Sequence, residues 1–152
     1  MGYRSRFALI LMLTLAVGSC VWPARFEGIS MRPTIDDGNR ILITNDVSSI
    51  DRGDILLFRY PVDPEKSYMK RVIGLPGESL HIDDGTVYID SQRLEEPYVD
   101  SRNNQLKESV PAVAIPADHY FVMGDNRDNS SDSRAWGTVD KALIEGELYS
   151  TY

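Results

Sequence analysis

The sequence predicts a mainly β protein, a compact antiparallel β-sheet domain tethered by one N-terminal transmembrane helix. Three observations predict it. An uncharged apolar run is confined to the N-terminus, short segments rich in β-branched and aromatic residues follow, and nothing after Trp22 sustains a helical period. A chain of 152 residues fits one domain, and 26% charged against 42% hydrophobic residues is the balance of a chain that can pack a core. The division is residues 1–22 as cytoplasmic N-terminus and membrane anchor and 23–152 as an extracytoplasmic β-rich domain.

The segment from Phe7 to Trp22, FALILMLTLAVGSCVW, carries no charge and follows Arg4 and Arg6, the layout of a membrane-targeting segment. As a helix its 16 residues span about 24 Å, short of the ~30 Å hydrocarbon core unless flanking residues snorkel or the bilayer thins. By itself the segment has three readings: a cleaved signal peptide, an uncleaved anchor, or, with Val17-Gly18-Ser19 before Cys20, a lipoprotein signal. In each, the basic start holds the N-terminus in the cytoplasm and sends the body of the chain across the membrane. The one cysteine cannot form an internal disulfide and leaves the redox compartment open.

Past the apolar run, Ile41 to Thr44, Asp54 to Tyr60, Tyr68 to Leu75, Tyr120 to Met123 and Ala142 to Tyr149 have strand composition. Leu80 and Ile82 alternate with polar neighbours, Asp84-Gly85 supplies a turn, and Val87 and Ile89 alternate again, which is a hairpin pattern. Leu75-Pro76-Gly77-Glu78 suits a type II turn, with Pro fixing φ and Gly accepting a positive one. Glu95 to Val110 is polar and reads as a surface excursion. Little room is left before Trp136 for an inserted second β domain, so the compact core alone is expected.

The net charge of -7, or -9 once Arg4 and Arg6 are set aside (14 basic against 23 acidic residues), makes nucleic acid an unsuitable partner. Ser30, in Gly28-Ile29-Ser30-Met31-Arg32-Pro33-Thr34, lies only eight residues past Trp22. A serine among Gly and Pro is ordinarily a turn residue, and as a nucleophile it needs a neighbouring base. His81 and His119 have strand and strand-start positions where surface or hairpin roles are commoner. Alternation puts Tyr68, Lys70 and Val72 on one face of their strand and Met69, Arg71 and Ile73 on the other. Facing inward, Lys70 would lose its charge readily, because burial disfavours an ammonium; facing water, it would be an ordinary solvated lysine. The polar patch Gly124 to Gly137 lacks the turn glycine and late glutamate of a calcium loop, so no metal or other cofactor is expected.

Ser30-Met31-Arg32-Pro33-Thr34, Arg52-Gly53-Asp54-Ile55, Lys70-Arg71-Val72-Ile73-Gly74-Leu75-Pro76-Gly77-Glu78 and the Gly124 to Gly137 patch resemble, in order and spacing, the motifs of bacterial type I signal peptidases. The resemblance runs from about Phe26 to the C-terminus. It implies a membrane-bound serine endopeptidase that removes signal peptides after small residues, with Ser30 as nucleophile and Lys70 as general base. It also implies that Ser130 hydrogen-bonds the lysine amine, that Asp132 and Arg134 form a buried supporting pair, and that Arg71 and Asp125 are structural supports. Arg52 and Asp54 brace the scaffold. The Ser30 N–H is the expected first oxyanion donor. Some relatives add a serine hydroxyl two positions earlier, where this chain has Gly28, so a second donor must come from elsewhere. Phe26, Ile29, Ile35 and Met69 lie near the motifs and are expected to line the shallow apolar pockets. The partners implied are signal-peptide-bearing preproteins and the lipid bilayer, and the location implied is the cytoplasmic membrane.

Two other functions fit parts of the sequence. A self-cleaving repressor-type peptidase shares the Ser-Lys chemistry but calls for a cytoplasmic protein with a DNA-binding helical domain, and the sequence offers neither. A non-catalytic exported β domain or lipoprotein would leave Ser30 and Lys70 to packing and Cys20 to lipidation. Four motifs in register favour the peptidase.

Overall fold

The computed structural model describes residues 20–152. In chain order the strands are β1 (Val21–Arg25), β2 (Arg40–Thr44), β3 (Ile55–Tyr60), β4 (Asp63–Gly74), β5 (Ser79–Asp83), β6 (Thr86–Ile89), β7 (Gln92–Arg93), β8 (Val110–Ala114), β9 (His119–Met123), β10 (Val139–Asp140) and β11 (Ile144–Thr151). Among the described residues the only α-helix is α1 (Ser133–Trp136), in keeping with a sequence that shows no helical period. All pairings are antiparallel. They build one sheet in the order β1-β2-β11-β3-β4-β9-β10 and a smaller one in the order β7-β6-β5-β8.

The centre of the large sheet follows from its register. Leu56 lies opposite Lys70 and Phe58 opposite Tyr68, while Ile55 lies opposite Arg71 and Leu57 opposite Met69. Directly opposed residues share a face, so the alternation expected for β4 holds. Leu56, Phe58 and Val72 pack with Tyr120, Val122 and Val139 on one side. Ile55 and Met69 pack with Phe26, Met31, Ile35, Ile41 and Ile43 on the other. With both faces covered, Lys70 and Arg71 are carried into the interior together.

Three expectations need correction. Val21 and Trp22, assigned from the sequence to the apolar anchor, belong to β1, where they pair with Thr44 and Ile43. The β-branched and aromatic pair continues the uncharged run without a break, and only pairing with β2 marks it as strand. The rest of that run, through Ser19, lies outside the described residues. Among the described residues no helix is long and apolar enough to cross a membrane.

Second, Val110–Ala114 is a strand that the sequence analysis did not anticipate. Its Pro111 argues against a central strand but is tolerated here because β8 is an edge of the small sheet. Third, there is room for a second sheet between β4 and β9. It uses the expected hairpin (β5 and β6) with β7 and β8 added at its edges. It remains part of the same body, since Leu80, Ile82, Val87 and Ile89 share a cluster with Ile73, Phe121 and Met123 of the large sheet.

The expected turn at Leu75-Pro76-Gly77-Glu78 joins the sheets. Glu78 N–H donates to Leu75 O at 3.2 Å, and Gly77 takes φ +86°. Arg52 braces this corner as expected, donating to Ile73 O at 2.6 Å and to both carboxylate oxygens of Glu78 at 2.9 and 2.5 Å. Asp54 accepts from Asp51 N–H at 2.7 Å in the adjoining turn. Gly74, the last residue of β4, sits where the two sheets meet: a Cβ there would stand 2.3 Å from Ile115 Cδ1 and 3.2 Å from Phe121 Cβ. Gly74→Ala is therefore expected to destabilise the protein by about 1–3 kcal/mol, the usual cost of overpacking. Urea denaturation should show a lower midpoint with an unchanged slope, and an unchanged midpoint would mean that the sheets are not closely packed at this point.

Candidate active site

Ser30 lies in a turn after β1, and the turn is tied down on several sides. Met31 and Ile35 are fully buried anchors, joined by Ile35 N–H donating to Met31 O at 2.9 Å. Gly28, with φ +106°, gives the chain its entry into the turn, and its N–H donates to Asp37 Oδ1 at 2.8 Å. The Gly28 amide is thus committed, and with no hydroxyl either, Gly28 contributes shape and no donor. The Ser30 N–H donates to no protein group among the described residues.

From the neighbouring strand, Lys70 Nζ approaches Ser30 Oγ to 2.9 Å and donates to Met69 O at 3.0 Å. It also lies 5.1 Å from the centre of the Tyr68 ring. The lysine is 4% exposed and no carboxylate contacts it. Desolvation lowers its pKa from 10.5 to about 8, against a smaller opposing effect of the Asp132 charge. At pH 7 about a tenth is free amine, far more than for a solvated lysine, and able to accept the Ser30 hydroxyl proton.

The Gly124 to Gly137 patch wraps this pair from behind β9. Arg71 donates to both oxygens of Asp125, at 2.8 and 2.6 Å, and to Gly53 O at 2.7 Å, while its guanidinium stacks 4.1 Å from the centre of the Tyr98 ring. Thr34 Oγ1 donates to Asp125 Oδ2, tying the Ser30 turn to the same carboxylate. Asp132 caps α1, accepts from Gly124 N–H at 3.1 Å and meets Arg134 Nε at 2.9 Å. The acidic residues of the patch are occupied in this way: Asp125 by Arg71, Asp132 by Arg134, and Asp128 by the N–H groups of Gln105 and Leu106.

The hydrogen bond expected from Ser130 to the lysine amine is not formed. Ser130 Oγ is buried without a protein partner, packed where a Cβ on Gly124 would come within 2.3 Å of it, and the lysine amine is engaged by Ser30 and Met69 instead. The pocket expectation is half corrected. Phe26 and Met69 line a cleft of about 520 Å³ that Ser30 and Lys70 open into, but Ile35 is fully buried in the core behind it and Ile29 is 39% exposed outside it. Ala24, Ile41, Ile43 and Leu57 complete the apolar wall. Ile29 and Ile35 are turned away from the cleft, and its wall comes from Ala24 and Phe26 ahead of the turn and from strands distant in sequence.

Four polar residues of the site went unassigned in the sequence. Thr34 and Asn126 lie inside the quoted motifs, their only signal. Arg127 and Glu96 form a buried ion pair at 2.6 Å that pins the polar excursion onto the patch. Asn126 donates from Nδ2 to Ile29 O at 3.1 Å and from its N–H to Ser30 O at 3.0 Å.

Residues 3–152 match the model of the family described as signal peptidase, peptidase S26. Signal peptidase I of Pseudomonas fluorescens is 33% identical over 88% of this chain and 62% of its own length. Signal peptidase I of Bacillus licheniformis is 38% identical over 82% of this chain and 72% of its own. Signal peptidase I U of Bacillus subtilis (strain 168) is 40% identical over 74% of this chain and 64% of its own. The crystal structure of a signal peptidase I from Enterococcus faecalis V583 superposes with a TM-score of 0.59 at 34% identity, covering 66% of this chain and 97% of that one. The chain thus spans about two thirds of the length of these curated relatives, a little less for the first and third.

The two buried cationic residues of β4 predict opposite mutant behaviour. Asp125→Ala would strand a buried guanidinium, and denaturant unfolding is expected to show a loss of about 3–5 kcal/mol, with Arg71→Met combined with Asp125→Leu losing less. Lys70 is held below its unfolded pKa, so its penalty is complete below about pH 8 and fades as pH rises towards 10.5. Lys70→Met should accordingly stabilise the fold at pH 7 by up to about 3 kcal/mol, with the gain shrinking above pH 8. Destabilisation at pH 7 would show that the lysine is not desolvated as described.

Proposed function

This chain belongs to the peptidase S26 family of signal peptidases, and from that membership we propose that it is a membrane-bound serine endopeptidase cleaving N-terminal signal peptides from exported preproteins. Ser30 is the nucleophile and Lys70 the general base. The observation that carries this reading is the 2.9 Å approach of Lys70 Nζ to Ser30 Oγ, with the lysine dry and free of carboxylate contact. A buried amine of lowered pKa next to a hydroxyl at the mouth of an apolar cleft is the arrangement nucleophilic catalysis requires.

In the reaction Ser30 Oγ attacks the scissile carbonyl carbon while neutral Lys70 takes the hydroxyl proton. The same ammonium then protonates the leaving amine as the C–N bond breaks. Water attacks the resulting ester with Lys70 again accepting a proton, which releases the acid and restores Ser30. The Ser30 N–H, which has no protein acceptor among the described residues, is the donor this reading gives to the oxyanion.

The cleft also bears on substrate form. β3 pairs with β4 along Asp63 to Arg71, but β9 pairs with it only from Arg71 to Gly74, which leaves one edge of Ser67–Lys70 unpaired beside the site. An extended preprotein segment adds there as a strand, its main chain giving affinity and the apolar wall selecting small side chains. The apolar run ahead of β1 holds the enzyme at the cytoplasmic membrane, N-terminus inside and catalytic domain outside. Arg4 and Arg6 before the apolar run support that orientation, and β1 starting at Val21 keeps the tether short.

The test is cleavage of a preprotein carrying an Ala-X-Ala signal by the detergent-solubilised full chain. Ser30→Ala and Lys70→Ala are each expected to lower kcat by at least ~10³-fold while remaining folded. Variants that cut as well as wild type would remove the dyad, and an inert wild type would return the exported binding domain to consideration. In wild type only the neutral amine is competent, so kcat/KM should climb with pH and level off above a midpoint near 8. A rate flat from pH 9 down to pH 5 would exclude Lys70 as the base.

A further inference from the structure

The peptide unit between Ile29 and Ser30 is a trans plane in which the Ile29 C=O and the Ser30 N–H point in opposite directions. Whatever fixes the first therefore aims the second. Ile29 O accepts two hydrogen bonds, from Arg32 N–H at 3.2 Å within the turn and from Asn126 Nδ2 at 3.1 Å across from the patch. The next carbonyl, Ser30 O, accepts from Asn126 N–H at 3.0 Å. One residue thus grips the main chain on both sides of Ser30. The grip depends on close approach, since a Cβ on Gly124 would stand 2.5 Å from Ser30 O.

Asn126 is 4% exposed, and its Oδ1 is buried with no protein partner among the described residues. An unpaired buried acceptor carries a desolvation penalty that an apolar side chain would avoid, so packing alone gives no reason for an amide here. What the amide supplies is the Nδ2–H donor on Ile29 O.

We propose that Asn126 is a positioning residue for the oxyanion donor: by holding Ile29 O it directs the Ser30 N–H towards the cleft, where the scissile carbonyl oxygen becomes negative. This rests on Ser30 being the nucleophile. Without the Asn126 amide the Ile29–Ser30 plane is held at that carbonyl by the Arg32 turn bond alone and can tilt. Tilting weakens a contact that matters most when the oxygen carries charge, so the loss falls on kcat and not on KM.

The experiment compares Asn126→Ala and the near-isosteric Asn126→Asp with wild type, using the full chain in detergent. Three quantities are read: kcat and KM on an Ala-X-Ala preprotein, affinity for a peptide boronate, and affinity for the same peptide with a non-hydrolysable ketomethylene link. The boronate is a tetrahedral mimic, since Ser30 Oγ forms a bond to boron and the hydroxyl proton passes to Lys70. Both variants are expected to lose ~10- to 100-fold in kcat and in boronate affinity, with KM and ketomethylene affinity within about twofold, and the uncharged Asn126→Ala is expected to leave the pH midpoint unmoved. Equal losses on both ligands, or kcat within twofold of wild type in a folded variant, overturn the positioning role. Should Asn126→Ala fail to fold, Asn126→Asp decides by the same criteria. Ser30→Ala run alongside separates the levels: if it is inert, such a failure concerns Asn126 alone, and if it is active, the nucleophile assignment falls and this role with it.

Discussion

Lys70 is buried with no carboxylate against it, and much of the structure can be understood as what is needed to hold an amine in that condition. A lysine on a free strand would turn to water, so the sheet has to be covered on both faces at this point. Leu56, Phe58 and Val72 cover one face and Ile55, Met69 and their cluster the other. Nearby acids must also be kept occupied, because a carboxylate within a few ångströms would restore the ammonium. Asp132, whose charge reaches Lys70, is held by Arg134, and Asp125 by Arg71.

Adjacent residues of β4 thus meet opposite fates. Arg71 is neutralised by a bidentate partner and becomes a cross-link between β4, the Ser30 turn through Thr34, and the exit of β9. Lys70 is denied a partner and stays poised near neutrality. The pleat that sends neighbours to opposite faces makes the contrast possible within two residues. The arrangement also sets a tension between stability and chemistry, since the group of lowered pKa is a cost to the folded state throughout the neutral range.

The sequence made the repetitive parts of the fold legible and left the long-range parts dark. The alternation of β4, the β5–β6 hairpin and the Pro76-Gly77 turn are local patterns and appear where expected. β1 was obscured because Val21 and Trp22 continue an uncharged run, and β8 because Pro111 sits in it; in both cases what makes the strand is a partner far along the chain. Ser30 and Lys70 were legible through motif order, but the cleft wall was not. Ile29 and Ile35 were chosen for nearness in sequence, whereas Ile41, Ile43 and Leu57 reach the cleft because β2 and β3 run alongside it. Asn126 was hidden for the same reason: its partner carbonyls lie in a turn across the fold, and no local spacing encodes that contact.

The small sheet gains a purpose from this geometry. β4 and β9 are neighbours in the large sheet, so their pairing from Arg71 to Gly74 already fixes Lys70 relative to the Gly124 patch, and the chain between them could in principle be a short turn. Instead it leaves as β5, and after β7 it returns towards the site with Glu96 bonded to Arg127 and Tyr98 stacked on Arg71. Both arginines are buried, and without the excursion both would stand open to water. The insertion therefore acts as a cover, excluding solvent from the ion pairs that hold the patch against β4. Its own stability comes from the cluster that Leu80, Val87 and Ile89 share with Ile73 and Phe121, which couples the packing of the small sheet to the rigidity of the site.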